Sequence, residues 1–345
     1  MNIALDATYS LGGELSGVGV YSRELLGGLA AAHPEARLQF CYRTHRFLRS
    51  FRARVPANAS RFLLGETRVP QSAQIFHGLN QRLPRAPLRR AVATFHDLFV
   101  LTGEYSTPEF RRRFTDQARE AAQRSDRIIA VSQFTARQVI DLLGVEAAKV
   151  RVVHHGVRLA GEPPQGAREK IILHVGAVQH RKNISRLVDA FEKVDRDWQL
   201  VLAGSEGYGA PEILAKIANS QGRERVRVLG YVSSAELAAW YRRAAIFAFP
   251  SLDEGFGMPV LEAMAAGTPV LTSNRSAIPE VAGDAAWLVN PEDTEELTGK
   301  LVELTQSPDE RAELSRRGLS RASRFTWADA VEKTWRIYCE LAGDE

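Results

Sequence analysis

Two glutamates flank a glycine-containing turn in the second half of the chain. Glu254 precedes Gly255 and Gly257, and Glu262 lies eight positions after Glu254, in a predicted helix whose first turn holds Pro259. Glycines let backbone N–H groups approach a ligand closely, and a helix N-terminus adds unpaired N–H donors. Carboxylates accept hydrogen bonds from sugar and ribose hydroxyls. The pattern predicts a site that binds both the anionic groups and the hydroxyls of one ligand.

A basic pair follows the end of another predicted strand. The apolar run 171–175 ends at Gly176, and Arg181 and Lys182 come shortly after it. Two cations at a helix start oppose the helix dipole, so an anionic ligand explains them better than solvation does. Such a pair can stabilise negative charge on a bound anionic group.

The elements that must position these residues alternate regularly. Short β-branched runs are separated by amphipathic stretches, which predicts parallel sheets covered by helices on both faces. The predicted strands are 2–6, 91–94, 127–131, 150–154, 171–175, 199–203, 226–230, 245–249 and 268–272. A helix is predicted through 21–31. The segment 156–166, which contains Pro163 and Pro164, is the predicted linker between the two sets of elements.

The composition excludes several classes of protein. The chain has 345 residues, which is enough for two domains, and no apolar run has the length of a membrane span. Its N-terminus lacks signal-peptide features, and its two distant cysteines, Cys41 and Cys339, are expected to be reduced thiols in the cytoplasm. No zinc-finger or RNA-binding pattern is present, so nucleic acid is not an expected partner. The D-x-D sequence at 195–197 precedes a strand, at the wrong edge for a site, so no metal is predicted.

Positive charge is concentrated in the first half of the chain. Residues 1–155 contain 22 Lys and Arg against 13 Asp and Glu, whereas the rest contains 23 against 28. Eight arginines lie between positions 37 and 68 with one acid, Glu66, and with interleaved apolar residues. The arginines are Arg37, Arg43, Arg46, Arg49, Arg52, Arg54, Arg61 and Arg68. This segment predicts contact with an anionic membrane surface; a solvated basic face, or apolar residues that face the core, is the equal alternative.

The alternation of predicted strands and helices, taken alone, also fits a two-domain NAD dehydrogenase. That class needs G-x-G-x-x-G after the first strand and an acid about 20 residues later. The first glycine-rich loop has Ser22 where the third glycine should stand, which argues against NAD.

The segment 249–270 resembles the E-x7-E motif of retaining glycosyltransferases of family 4. Segments 96–97, 130–135, 153–157, 176–183, 230–232 and 276–286 resemble other segments of the same family. The resemblance implies an α/β GT-B fold, in which two Rossmann-like, doubly wound parallel-sheet domains face each other across a cleft. The implied domains are 1–157 for the acceptor and 158–326 for the nucleotide-sugar, with a helix at 327–345 that returns to the N-terminal domain.

The resemblance also assigns roles to particular residues. It implies four catalytic residues, namely His96, Arg181, Lys182 and Glu254. It implies donor-binding residues at Gly17, Val232, Gly255, Phe256, Gly257, Met258 and Glu262. Glu254 is expected to bind sugar hydroxyls, Glu262 the ribose, and Val232 the base through its backbone.

The implied activity is transfer of a hexose with retention of anomeric configuration. GDP-mannose is the favoured donor and UDP-sugars are next, and the acceptor is expected to be a glycan or a lipid-linked intermediate in surface polysaccharide synthesis. No cofactor or metal is implied. The expected location is the cytoplasm, with a peripheral position at the inner face of the membrane left open. The alternatives are a non-catalytic sugar-nucleotide binding protein and, less favoured, the NAD dehydrogenase.

Overall fold

The first half of the chain forms a seven-stranded parallel sheet. A computed structural model describes residues 1–158 and 167–343. The strand order is β3-β2-β1-β4-β5-β6-β7, which is the doubly wound order with one strand added at an edge. The strands are β1 (Asn2–Asp6), β2 (Arg37–Arg43), β3 (Ala59–Leu64), β4 (Ile75–Gly78), β5 (Ala91–Phe95), β6 (Arg127–Ala130) and β7 (Val150–Val152). The helices are α1 (Gly17–Ala32), α2 (Thr44–Ser50), α3 (Phe99–Thr102), α4 (Pro108–Arg124) and α5 (Gln133–Leu143).

The second half repeats this plan with six parallel strands. Their order is β10-β9-β8-β11-β12-β13, so the strand order again reverses beside the first strand of the set. The strands are β8 (Glu169–Val175), β9 (Gln199–Ala203), β10 (Val226–Gly230), β11 (Ala244–Phe249), β12 (Val270–Ser273) and β13 (Trp287–Val289). The helices are α6 (Ile184–Phe191), α7 (Ala210–Asn219), α8 (Ser234–Arg243), α9 (Met258–Ala265), α10 (Ile278–Ala282), α11 (Thr294–Gln306) and α12 (Pro308–Ala322).

The described residues divide into two units that are not contiguous in sequence. The first unit comprises Met1–Thr102, Pro108–Gly156 and Thr326–Glu345, and the second comprises Gly103–Thr107 and Val157–Phe325. Of the predicted linker 156–166, residues 159–166 lie outside the described part of the chain. Within the described residues, no helix has the length and hydropathy needed to cross a membrane.

Because successive side chains of a strand point to opposite faces, the first sheet has a hydrophobic core on each face. Ile3 and Leu5 are buried with α1, whereas Ala4, between them, is buried on the other face with residues of α4. Helix starts are fixed by side-chain caps. Ser16 accepts from the backbone of Gly19, and α8 has a full capping box. The predicted α/β doubly wound class is therefore confirmed.

The last helix, α13 (Trp327–Ala342), packs on α1 of the first unit. A Cβ atom at Gly28 would lie 2.4 Å from Val331 Cγ2, so the two helices approach closely because position 28 has no side chain. Tyr338 is fully buried, and its hydroxyl lies 2.5 Å from Nδ1 of His77 on β4. The apolar face of α13 thus forms part of the first unit's core.

The structure corrects the sequence analysis around the arginine-rich segment. The strands β2, β3 and β4 were not predicted, and two of them lie within it. Arg43 is buried rather than part of a surface, because its guanidinium pairs with Asp6 at 3.2 Å and Glu66 at 2.7 Å. Leu64 is buried in the core as well. In addition, α1 begins at Gly17, so this glycine is helical rather than part of the preceding loop.

Candidate functional site

The Glu254 loop lies at the carboxyl end of β11, beside β8, where the order of the second sheet reverses. In open α/β sheets this is where ligands bind. Glu254 is only 8% exposed, and Ser251 Oγ donates to its Oε1 at 2.6 Å. Its backbone N–H donates to Ser276 Oγ at 3.0 Å, and its carbonyl accepts from the N–H of Ala277. The loop is therefore held at both the side chain and the backbone.

The basic pair predicted from the sequence binds this carboxylate. Arg181 Nη1 lies 3.2 Å from Glu254 Oε2, and Lys182 Nζ lies 2.5 Å from Oε1. Arg181 also donates to the carbonyl of Asp253, and both cations are 7% exposed. Burial acts to raise the pKa of Glu254, but the two cations outweigh it and lower that pKa to about 2. The three side chains together carry one positive charge, which favours an anionic ligand.

A neutral histidine lies under Lys182. Lys182 Nζ is 4.7 Å from the centre of the Phe249 ring, and His174 stacks on the same ring with its Nδ1 3.0 Å from the carbonyl of Ala248. Burial lowers the pKa of His174 to about 4, so the imidazole is neutral at neutral pH. The positive charge at this strand end consequently belongs to Arg181 and Lys182.

The second glutamate lies on α9 with a different set of partners. Gly257 caps the helix with a φ of +98°, and a Cβ atom there would lie 2.5 Å from Ile278 Cδ1, so glycine is required. The hydroxyl of Tyr241 donates to Oε2 of half-buried Glu262 at 2.9 Å. Burial raises the pKa of Glu262 to about 7, against the opposing effect of this hydrogen bond. The two glutamates therefore differ in charge as well as in place.

Four other predicted donor residues lie around this loop and one farther along the sheet. Gly255, Phe256, Gly257 and Met258 form the turn into α9. The Phe256 side chain is buried and packs edge-on against Phe325, so its side chain has a packing role. Val232 follows β10 and is half-buried, directly before the Ser233 cap of α8.

Gly17 and His96 lie in the first unit. His96 follows β5 and is 8% exposed, with Nε2 2.9 Å from the carbonyl of Leu79. Burial lowers the pKa of His96 to about 4, so the ring is neutral near pH 7. A carbonyl can only accept, so the proton is on Nε2 and Nδ1 is the acceptor nitrogen. His96 is thus suited to accept a hydrogen bond from a hydroxyl and unsuited to donate a proton.

A buried network supports His96 from behind. The Tyr21 ring meets the His96 ring edge-on at 4.8 Å, and its hydroxyl lies 2.9 Å from Thr94 Oγ1. Thr94 in turn lies 2.8 Å from Nε2 of His77, which also contacts Tyr338. The sequence analysis missed these residues, since nothing in their spacing marks them as neighbours.

Two more residues near the basic pair were not predicted from the sequence. Ser251 stands three residues before Glu254, a spacing that could have identified it. Tyr105 belongs to the short segment Gly103–Thr107 of the second unit. Burial and the Asp253 carboxylate raise the pKa of Tyr105, whereas Arg181 acts to lower it, so the Tyr105 hydroxyl lies within electrostatic range of Arg181. No sequence signal indicates this placement.

Two doubly wound parallel sheets, with a carboxylate that holds two cations at one switch point, fit a glycosyltransferase of the GT-B class. Comparison with known proteins agrees. Residues 15–160 match the model of "Glycosyltransferase Family 4", and residues 161–321 match that of "Glycosyl transferases group 1". The chain belongs to this glycosyltransferase family and is an enzyme of that type. The NAD dehydrogenase alternative is therefore wrong.

Individual relatives span most of the chain. It is 29% identical to the O-antigen chain mannosyltransferase B of Escherichia coli, over 94% of this chain and 96% of that one. It is 32% identical to a D-inositol 3-phosphate glycosyltransferase of Kineococcus radiotolerans, over 76% of this chain and 67% of that one. Among solved structures, sucrose-phosphate synthase of Thermosynechococcus elongatus superposes with a TM-score of 0.83 over 100% of both chains at 20% identity, which supports the fold.

Proposed function

We propose that this enzyme transfers mannose from GDP-mannose to a glycan or lipid-linked acceptor and retains the anomeric configuration. The observation that carries the proposal is the buried contact of Arg181 and Lys182 with the Glu254 carboxylate at a sheet switch point. The similarity to a mannosyltransferase over 94% of this chain favours mannose. UDP-sugars are the next donors to test. A role in surface polysaccharide synthesis would follow from the same relative.

The proposed chemistry assigns one task to each group. The bond between sugar C1 and the β-phosphate oxygen breaks while the acceptor oxygen bonds to C1 from the same face. The acceptor's proton passes to the departing phosphate oxygen, so no protein group needs to supply or remove it. Arg181 and Lys182 stabilise the charge that grows on the diphosphate. Glu254 holds both cations and accepts from sugar hydroxyls.

The remaining predicted residues would bind the parts of the donor that do not react. Glu262 has one oxygen engaged by Tyr241, and its carboxylate can accept from ribose hydroxyls. Val232 would meet the base through its backbone. His96 would accept from a sugar hydroxyl through Nδ1, which suits its neutral state. Gly17 would contact the diphosphate at the start of α1.

A nucleotide-sugar panel tests this function. The purified chain is incubated with GDP-mannose, UDP-glucose and UDP-N-acetylglucosamine, with and without excess chelator. Thermal stabilisation and slow donor hydrolysis are measured, because a ligand that binds the folded state raises stability. We expect the largest effects with GDP-mannose, and the same effects with and without chelator. Because free mannose mutarotates in water, retention is measured by NMR on the glycosidic linkage of a transfer product. Absence of both binding and hydrolysis with every donor would overturn the proposal, and larger effects with a UDP-sugar than with GDP-mannose would reassign the donor.

We also propose a peripheral contact between α2 and an anionic membrane. Leu48 is 81% exposed and Phe51 is 62% exposed, both unusual for apolar side chains of this size. Arg46, Arg49 and Arg52 are interleaved with them. Cations attracted to anionic lipid and apolar groups that can insert form the combination that surface-bound segments use. The contact would bring the enzyme to a lipid-linked acceptor.

A further inference from the structure

A cavity in the first unit lies outside the residues assigned to the donor. It has a volume of about 660 Å³ and lies at the carboxyl ends of β1 and β2. Its walls come from the loop after β1, from α1, and from the segment after α2, which includes Arg52 and Arg54. Phe40 and Tyr42 of β2 close it on the sheet side. The cavity is therefore built by four parts of the chain that the fold brings together.

Four arginines line this cavity. They are Arg23, Arg49, Arg52 and Arg54, and no acidic side chain is among the described lining residues. Arg23 donates to the carbonyl of Gly12 at 2.9 Å, but none of the other three has an ion-pair partner in the described part of the chain. All four are exposed to solvent, and together they make the potential in the cavity positive, which favours an anionic ligand.

Three arginines close to the cavity in sequence or space, in contrast, are satisfied by the fold. Arg43 is neutralised by Asp6 and Glu66, and Arg82 by Glu66. Arg61 donates to backbone carbonyls of Ser50 and Ala53. Among the described residues, Arg49, Arg52 and Arg54 have no such partners and remain available to a ligand.

We infer that the cavity binds a phosphate group carried by the acceptor, most simply the diphosphate at the reducing end of a lipid-linked glycan. Guanidinium groups bind phosphate through paired N–H donors, and a diphosphate carries enough negative charge for several of them. This inference rests on the proposed function, because it names a part of the acceptor. The exposed Leu48 and Phe51 belong to the same α2 region as Arg49 and Arg52, so a lipid tail and a diphosphate could be held together.

The first test needs no turnover. Affinity for inorganic pyrophosphate is measured by calorimetry for wild type, for the double variant Arg49→Gln/Arg52→Gln, and for the control Arg89→Gln/Arg90→Gln, whose arginines are exposed in the same unit but do not line the cavity. GDP is present to fill the donor site. We expect the first double variant to lose about tenfold or more in affinity, since charge-assisted hydrogen bonds are removed, and the control to match wild type. Equal affinity of all three proteins would overturn the inference.

The second test compares acceptors. Transfer is measured to one glycan with and without a reducing-end diphosphate, free in solution and on a polyprenyl chain in vesicles. We expect the diphosphate to lower KM for wild type and to do so much less for Arg49→Gln/Arg52→Gln. A preference in both settings identifies the phosphate itself, a preference confined to vesicles identifies the lipid-linked form, and no preference in either setting overturns the inference.

A steric variant keeps the charges unchanged. Gly27 lines the cavity, and a Cβ atom there meets nothing within 4 Å, so Gly27→Leu should fold normally and fill space in the cavity. We expect a higher KM for the diphosphate acceptor and a melting temperature that is equal or raised, because leucine favours helix over glycine. Donor hydrolysis by wild type, measured separately, tests the proposed function; its failure with pyrophosphate binding intact would reject the function and keep the site.

Discussion

Glu254 is bound by both cations that are expected to meet the donor diphosphate. Because Ser251, Lys182 and Arg181 all bind its carboxylate, the cations are held in place by the protein rather than by a ligand. Electrostatic stabilisation works best when the groups that provide it need no rearrangement during the reaction. The arrangement therefore favours an action on the transition state over an action on ground-state binding.

Replacing Lys182 tests this distinction. Lys182→Ala should lower kcat by on the order of 10²-fold, with a smaller rise in donor KM, because its charge matters most as the diphosphate departs. Steady-state kinetics with the identified donor measure both constants. Lys216→Ala is the control, since Lys216 forms a half-exposed pair with Asp189 on the same unit. A variant that changes KM alone would refute the assignment.

The pKa of Glu262 gives a pH dependence with a definite sign. Its carboxyl is partly protonated near pH 7 because burial raises the pKa to about 7, and only the carboxylate can accept from two ribose hydroxyls. We expect kcat/KM for the donor to rise with pH through about 7 and then level off. Glu262→Gln should remove this rise and weaken nucleotide binding by about 1–3 kcal/mol. Glu303→Gln, which changes an exposed side chain of α11, should keep the wild-type profile. Persistence of the rise in Glu262→Gln would contradict the prediction.

At the residue scale, the sequence analysis identified the charged residues of the candidate site but not the residues that hold them in place. A few residues after the ends of β8 and β11 stand Arg181, Lys182 and Glu254. The topology brings these two strand ends together, so short-range spacing was enough to identify the three residues. Tyr241, which holds Glu262, comes from a helix 21 residues earlier in the chain. Such a partner depends on how helices pack, which local spacing does not encode.

Among the elements, the contact of α1 with α13 depends on a single glycine. Gly28→Ala would place a Cβ atom 2.4 Å from Val331 Cγ2, so the helices must separate, and we expect a loss of about 1–3 kcal/mol in unfolding free energy. Gly27→Ala is the matched control on the same helix, where the added atom meets nothing within 4 Å. It should be neutral or stabilising by up to about 1 kcal/mol, because alanine favours helix. Thermal and chemical unfolding compare the two; equal stability would disprove the close-packing account.

The exposed face of α2 makes a second prediction at this scale. Leu48→Ser/Phe51→Ser should reduce co-sedimentation with anionic vesicles and leave the melting temperature unchanged, because both side chains are exposed. Wild-type binding should weaken as salt rises, since the screening length falls to about 8 Å at 0.15 M. Leu142→Ser, an exposed leucine on α5, is the control. If wild type ignores anionic vesicles at low salt, the membrane contact is wrong.

Most strands of the second sheet were readily predicted, whereas β2 and β3 at one edge of the first sheet, and the buried central strand β4, were not. β8 and β11 are nearly continuous apolar runs, as expected for a sheet covered by helices on both sides. β2 begins and ends with arginine, and its charged end became a buried residue only because Asp6 and Glu66 lie beside it. Asp6 is 37 positions from Arg43 in the chain. Local spacing does not reveal such a pair, so the sequence analysis treated Arg43 as part of an exposed surface.

For the molecule as a whole, buried neutral histidines predict sensitivity to acid. Burial lowers the pKa of His77 to about 3 and those of His96 and His174 to about 4. Between about pH 6.5 and pH 4 the unfolded chain therefore binds more protons than the folded one, and stability falls as pH falls. We expect a loss of about 2 kcal/mol per histidine between pH 7 and 4.5. Glu262, whose raised pKa favours the protonated form on folding, opposes this in part.

Denaturant unfolding at several pH values measures this loss. His77→Gln should lower stability at pH 7, because it disturbs the contacts with Thr94 and Tyr338, and should also flatten the decline toward pH 4.5. Most carboxylates remain ionised in the unfolded chain over this range, so histidines dominate the slope. A stability that stays constant from pH 7 to 4.5 would show that these rings do not resist protonation.

The division of the chain into two units has a consequence for exchange between related genes. The backbone passes from one unit to the other at four places, after residues 102, 107, 156 and 325. A single recombination event near residue 156 would therefore join β1–β7 of one parent to α13 of the other, and would leave Tyr105 with the wrong parent's Arg181. Gly28 and Val331 would then come from different ancestors. A chimera that exchanges 103–107 together with 157–325 takes α1 and α13 from one parent, and Tyr105 and Arg181 from the other. A chimera with a single crossover should function only where the two parents' versions of these contacts are already compatible.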